Sequence, residues 1–429
     1  MKFFKNHKTM DKDIKKISKN LLMLTIVTLL IFTSCSKKVL EEKPLDFLSP
    51  DNAYLTEAGA LQGVTAIYAQ IRQVYYSFGT FGVMDWATHG SDEGYNGEVP
   101  GPGGGYLNSY KDDLYPTARM VVDTWRTGFQ IIQWADVLID KVGKADSSSF
   151  EGGIAGKNKY IAEGRFFRAW VYRYLVSTYG DIPLLTTPVN SAKDDFVRAP
   201  IADIHNLIVE DFKFATENLP RPGQEDAPGR LTQGPAWHYL AETYLEMGEP
   251  QLAVGAATHA VNDYNYALMT HRYGTRLGHD VFGSGDAFYD LFGFGNQNLP
   301  KNTEAMWVIQ AEPPPTVGGG QIASAYIFGP RYFDIGLTPD GFTAFLGEFV
   351  NGSYTGYSDT LGRPTANQRG TSLIYYHIWN GIAEETDDRN TEHNLKRNFY
   401  YDNPASAYDG QKVDFSLYNP PRPNPIADL

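Results

Sequence analysis

Apolar residues recur at three- and four-residue intervals from Thr56 onward, a spacing that gathers them along one side of a helix. Thr56 can cap a helix running to about Gln73, with Ala60, Leu61, Val64, Ile67, Tyr68 and Ile71 on one broad face. The pattern returns from Trp125 to Ile139, where Trp125, Phe129, Ile132 and Ala135 form a stripe backed by Ile131, Trp134 and Leu138. Between Lys159 and Tyr179 the apolar positions occupy more than one side, which predicts a central helix packed by several neighbours. It should stop at Gly180-Asp181-Ile182-Pro183, because glycine accepts the conformation that ends a helix and proline cannot continue one. From Ile201 to Asn218 the stripe is Ile204, Leu207, Ile208, Asp211, Phe212 and Ala215, apolar at every position except Asp211.

Pro235 to about Val261 reads as a helical hairpin that turns at Gly248-Glu249-Pro250. Trp237, Leu240, Ala241, Tyr244 and Leu245 lie on its first helix, and Ala253, Ala256, Ala257 and Ala260 on its second. Large residues facing alanines in this way resemble a tetratricopeptide unit, which needs neighbouring helices to cover it. After about Tyr264 the apolar stretches shorten, and Gly, Pro and Asn intervene, as at Phe282-Gly283-Ser284-Gly285, Pro313-Pro314-Pro315 and Gly318-Gly319-Gly320. Residues 304–310 and 373–379 are expected to be short strands or extended segments, and no amphipathic pattern follows Val350. The expected fold class is mainly α: tetratricopeptide-like helical hairpins supporting an irregular, loop-rich lobe with a few short strands.

The N-terminus has a different character. Lys2, Lys5, Lys8, Lys12, Lys15, Lys16 and Lys19 precede an apolar run from Leu21 to Phe32, too short to span a bilayer but of the right length for a secretory signal. Phe32-Thr33-Ser34-Cys35 then fits a lipobox, with Phe32 standing where leucine is usual. Residues 1–34 are therefore expected to be a signal peptide, and Cys35 to carry a covalent lipid as the first mature residue. Cys35 is the only cysteine in the chain, so no intrachain disulfide can form. Removing the leader takes away seven lysines and two aspartates and moves the formal charge from -13 to -18. Such an acidic chain is unsuited to nucleic acid, which is bound through clustered Lys and Arg, and the same balance leaves acyl chains as the membrane attachment.

Four segments in order carry a family resemblance: Ala60-Leu61-Gln62-Gly63-Val64-Thr65-Ala66-Ile67-Tyr68; Glu163-Gly164-Arg165-Phe166-Phe167-Arg168-Ala169-Trp170 running into Tyr179-Gly180-Asp181-Ile182-Pro183-Leu184; residues 208–220; and Gly229-Arg230-Leu231-Thr232. Together they resemble the SusD/RagB outer-membrane nutrient-binding lipoproteins. Asp388-Arg389 and Asn398-Phe399-Tyr400-Tyr401-Asp402-Asn403-Pro404 extend the likeness loosely. The resemblance implies a protein lipid-anchored to the outer membrane and facing outward, which captures oligosaccharide or polysaccharide and delivers it to a SusC-like TonB-dependent transporter. Some members of the family take peptides. The expected organisation is a SusD-like helical region over residues 35–263 and a loop-rich lobe over 264–429. The family usually continues into a further helical pair, so the resemblance also implies that the open reading frame is shortened at its C-terminus and that apolar surface on the helical lobe is left uncovered.

No phosphate loop, zinc-binding histidine pair or nucleophile elbow occurs. Asp85, His89, Asp92 and Glu93 have the chemistry for a hard metal such as calcium or for an acid/base pair, but their spacing matches no coordination pattern and they read as a hydrated loop; Asp112-Asp113 and Glu384-Glu385-Thr386-Asp387-Asp388 read as solvated acidic turns rather than catalytic dyads. The candidate binding surface is the segment from Tyr75 to Tyr115, where Trp86, Tyr95, Tyr106 and Tyr110 stand among glycines with Asp85, Asp92, Asn96 and Asn108. A sugar ring offers an apolar C–H face and a rim of hydroxyls, which aromatic planes flanked by Asp and Asn can match. The competing expectation is that these aromatics plug the core. Trp379 and Tyr273 are weaker candidates of the same kind. Beside glycan or peptide capture stand a glycoside hydrolase, which would need two placed carboxylates, and a pure protein adaptor.

Overall fold

The computed structural model describes residues 16, 18–21, 23, 50–76, 91–96, 110, 114–278, 285–310, 331–358, 361, 364, 368–382 and 386–418. The chain divides into two compact units, Met1–Ala53 and Tyr54–Leu429. In the first, a helical turn covers Pro50–Ala53, and Cys35 with the rest of the lipobox lies outside the described residues. No described helix is long and apolar enough to cross a membrane.

The second unit is mainly helical. Helices α1 (Glu57–Tyr76), α2 (Arg119–Lys144), α3 (Ile154–Tyr179) and α4 (Ile201–Asn218) are followed by the hairpin α5 (Gln233–Glu246) and α6 (Pro250–Asn262) and a short α7 (Ala287–Leu291). Thr56 caps α1 as the sequence predicts, its hydroxyl accepting from the Gly59 amide at 3.3 Å. Ala60, Val64, Ile67 and Ile71 are fully buried, while Leu61 at the stripe's flank is exposed. Helix α2 is longer than its apolar stripe, because its first turn is held by charge: Asp123 accepts from Arg119 at 3.3 Å and from Arg126 at 2.5 Å. The C-terminal carbonyls of Gly143 and Ala145 accept from Lys157 of α3, both at 2.9 Å.

Helix α3 is the axis of this unit and packs against α1, α2, α4 and α5. Phe166, Phe167, Tyr172 and Leu175 are fully covered on its several sides, and burying a side chain of this size contributes about 2–3 kcal/mol. Gly164 lets α2 approach closely, since a Cβ there would stand 3.1 Å from both Leu138 and Ile139 side-chain carbons. The helix ends at Gly180, whose φ is +73°. In the α5–α6 hairpin, Leu240, Ala241 and Tyr244 are buried opposite Ala253, Ala256 and Ala260. Ala257 and Leu245 face outward instead, and α6 also exposes Leu252, Val254 and Val261.

Among the described residues the strands form three antiparallel two-stranded ribbons: β1 (Gly94–Asn96) with β6 (Gln368–Gly370), β2 (Ile182–Pro183) with β3 (Arg198–Ala199), and β4 (Phe349–Val350) with β5 (Ser353–Tyr354). Residues 304–310 form no strand and bend at Glu304 and Met306. Leu373–His377, expected to be extended, is instead a π-helical turn closed by the Ile378 amide on the Leu373 carbonyl at 2.9 Å. A continuous apolar run of this length has no period that separates a strand from a helical turn. The loop-rich part has its own aromatic core: Tyr332 stacks on Phe399 at 5.3 Å and meets Phe345 edge-on at 4.7 Å.

Candidate functional site

The site begins where the segment between α1 and α2 meets the loop-rich part. Ser91 starts the turn into β1, its hydroxyl accepting from the Glu93 and Gly94 amides at 3.2 and 3.1 Å. Strand β1 then pairs with β6 in the register Gly94 to Gly370, Tyr95 to Arg369 and Asn96 to Gln368. Thr371 completes the junction, its amide donating to the Glu93 carbonyl at 2.9 Å and its hydroxyl to the Asp92 carbonyl at 2.5 Å. The ribbon thus joins positions more than 270 residues apart in the chain.

Of the residues predicted for this surface, Tyr95 is half-buried opposite Arg369, Tyr110 is exposed, and Asn96 stands at the end of β1. Asp85, Trp86, Tyr106 and Asn108 lie outside the described residues. Asp92 and Glu93 are exposed, in keeping with a hydrated turn. No group of carboxylates, histidines or cysteines able to hold a metal ion occurs among the described residues.

Trp379 lies nine residues beyond β6, past the π-helical turn. It is half-buried, and the Arg389 guanidinium lies over its ring at 5.8 Å from the centroid. Arg389 is itself fixed by both oxygens of Asp387, at 2.9 and 2.6 Å. These hydrogen bonds from Arg389 hold the Asp387 carboxyl below the ordinary carboxylate range. Burial, with Asp286 and Asp387 nearby, pushes Asp388 the other way. Trp379 Nε1 is buried without a hydrogen-bond partner. The ribbon therefore connects one aromatic segment, carrying Tyr95, to a second that carries an oriented indole with an arginine over its ring.

Tyr273, the other aromatic singled out in the sequence, is 4% exposed and belongs to the interior, its amide donating to Asp290 at 2.8 Å. Its glycine-flanked position resembles a loop tip, but the buried Asp290 carboxylate draws the backbone inward. Arg369 and Arg389 are the site residues that the aromatic pattern alone does not disclose. Only the register of β1 on β6 identifies the first, and only the Asp387 pair identifies the second.

The chain is thus a scaffold of packed helix pairs bearing an irregular part with short two-stranded ribbons. Residues 103–245 match the SusD-like_3 family, described as "Starch-binding associating with outer membrane". Over this stretch the chain is similar to SusD-like proteins. It is 25% identical over 290 residues to SusD-like protein P25 of Formosa agariphila, covering 66% of this chain and 50% of that one. To a SusD-like protein of Bacteroides ovatus it is 22% identical over 306 residues, covering 68% and 50%. Among solved structures, a laminarin-binding SusD-like protein aligns with 24% identity and a TM-score of 0.45, over 51% of this chain and 47% of that one. The chain spans about half the length of the curated relatives it matches.

Proposed function

We propose that this protein is a surface lipoprotein that captures glycan chains and passes them to a SusC-like TonB-dependent transporter, binding its ligand without cleaving it. Residues 1–34 act as the signal peptide and Cys35 carries the lipid. Residues 35–263 supply the helical scaffold, and residues 264–429 supply the lobe. The observation that carries the reading is the β1–β6 pairing, which ties the aromatic segment between α1 and α2 to the segment that holds Trp379 and Arg389. Trp86, Tyr95, Tyr106 and Tyr110 are proposed as apolar planes for sugar C–H faces, with Asp85, Asn96 and Asn108 as partners for hydroxyls.

The test is a titration of the full chain, purified in detergent, with soluble polysaccharides and with peptides, following tryptophan emission while the same mixtures are assayed for new reducing ends. Saturable glycan binding without products supports the proposal, and loss of affinity in a folded Trp86→Ala variant locates the surface. Release of products would make the protein a hydrolase; exclusive peptide binding, or no ligand at all alongside copurification with a transporter, would replace glycan capture by peptide capture or by an adaptor role.

A further inference from the structure

Three Asn-Gly steps occur in the chain, at residues 96–97, 351–352 and 380–381. An asparagine followed by glycine carries its own covalent chemistry, because the glycine nitrogen has no side chain beside it to hinder attack on the asparagine carboxamide carbon. Gly97 lies outside the described residues. The other two steps sit in turns that are built differently, and the difference decides which of them can react.

Asn351 and Gly352 form the tip of the β4–β5 ribbon, with φ of +50° and +87°. Immediately below the tip Val350 pairs with Ser353 and Phe349 with Tyr354, whose ring meets that of Phe349 at 5.0 Å. The Thr355 amide extends the clamp by donating to the Glu348 carbonyl at 3.0 Å. Both tip residues are thus held in the left-handed region that such a two-residue turn requires. Closing a ring at Asn351 has to reorient this backbone and open the paired strands.

Asn380 and Gly381 instead occupy the centre of a single turn, in which the Ile382 amide donates to the Trp379 carbonyl at 2.9 Å and Gly381 has a φ of +79°. Both residues are exposed, and a Cβ added to Gly381 would meet nothing within 4 Å. Among the described residues neither the Asn380 side chain nor the Gly381 amide makes a hydrogen bond, so both reacting groups are unprotected. The ends of the turn are anchored, by the Asn380 amide on the His377 carbonyl at 3.2 Å and by the buried Asn390 side chain on the Ile382 carbonyl at 3.1 Å. Its centre can reorient at the cost of one or two backbone hydrogen bonds rather than a ladder.

We infer that Asn380 is a site of spontaneous deamidation, and that the fold directs the reaction to this step rather than to Asn351. The Gly381 nitrogen gives its proton to solvent base and attacks Asn380 Cγ. A C–N bond forms, the Cγ–Nδ2 bond breaks, and Nδ2 takes a proton from water and leaves as ammonia. Water then opens the cyclic imide at either carbonyl to give aspartate or isoaspartate, with nothing oxidised or reduced. The product carries a negative charge one residue from Trp379, whose ring Arg389 covers. Isoaspartate also adds a carbon to the main chain inside the turn that the Ile382 to Trp379 hydrogen bond closes. The inference does not depend on what the protein binds.

The test is to hold the full chain in detergent at pH 6 and pH 9, digest samples under acidic conditions at intervals, and follow the Asn380 and Asn351 peptides by mass, with isoaspartyl methyltransferase labelling to identify the product. In folded protein the Asn380 peptide should gain the mass of an amide turned acid about tenfold faster than the Asn351 peptide, and faster at pH 9 than at pH 6. In guanidinium-unfolded protein the two should convert at similar rates. Asn380→Gln should remove the gain from its own peptide and leave the Asn351 peptide as it was. Equal rates at the two steps in folded protein, or an Asn380 peptide that stays unmodified at pH 9, would overturn the inference.

Discussion

Asp136 should make this protein more stable as the pH falls from 7.5 to 5. The carboxylate is 1% exposed on α2 and donates nothing; it accepts from Arg168 of α3 at 2.6 Å through one oxygen, and its other oxygen has no partner. Arg168 is shared, since Asp211 of α4 takes its Nε and Nη2 at 2.7 and 2.9 Å. Burial is the larger influence on Asp136 and outweighs the Arg168 charge, pushing its pKa from 3.8 up to about 6. Between those two values the folded protein holds a proton that the unfolded chain has released, so stability declines as pH rises through the window. Relative to a side chain that does not titrate, Asp136 therefore lowers stability by about 3 kcal/mol at pH 7.5 and about 1.5 kcal/mol at pH 5. His205 opposes this trend, because burial lowers its pKa and folding disfavours its charged form as pH falls. The informative quantity is thus the difference between wild type and Asp136→Asn, in which groups not coupled to Asp136, His205 among them, cancel. Urea unfolding at pH 5, 6 and 7.5, analysed with a common slope, should show wild type gaining about 1.5 kcal/mol on the variant from the highest pH to the lowest. A difference that stays flat across these conditions would refute the assignment of a shifted proton to Asp136.

Arg168→Met should destabilise the protein by about 3–5 kcal/mol, because it leaves two buried carboxylates without their shared cation; thermal unfolding of the variant checks this. Gly164→Val should cost about 1–3 kcal/mol by forcing α2 and α3 apart, read as a lower urea midpoint at unchanged slope. Trp379→Ala should weaken glycan binding about tenfold while the circular dichroism spectrum is preserved, as expected for loss of one aromatic plane. The same titration repeated at high salt should change little, since a neutral ligand offers no charge to screen.

The helical part was readable in the sequence because each helix repeats one rule many times. The stripes of α1 and α4 place their buried residues at three- and four-residue intervals, and the glycine and proline stops after α3 act locally. Even the exception in α4 was visible as an exception: Asp211 interrupts an apolar stripe, and the structure shows why it is tolerated, fully buried on Arg168. The loop-rich part offers no such repetition. Its contacts pair single residues far apart, as Phe345 with Asp402 or Thr391 with Asp286, and no local period announces them.

The stretch that identifies the family most clearly is used up by packing. Glu163 receives Arg230 and the Tyr68 hydroxyl, the latter at 2.7 Å, and Tyr68 in turn accepts from the Leu231 amide at 2.7 Å. Gly164 gives α2 its close approach. Arg165 lies over Phe214 at 4.3 Å and reaches Asp211 at 3.5 Å. Phe166 and Phe167 meet Trp307, and Arg168 joins α2 to α4. Each of these residues holds one helix or loop to another, so substituting it acts first on stability. On the proposed function, ligand choice falls to residues that the scaffold leaves unengaged, on the loop surfaces. A substitution in this stretch therefore reads out in the unfolding midpoint, whereas one on the loop surfaces reads out in binding.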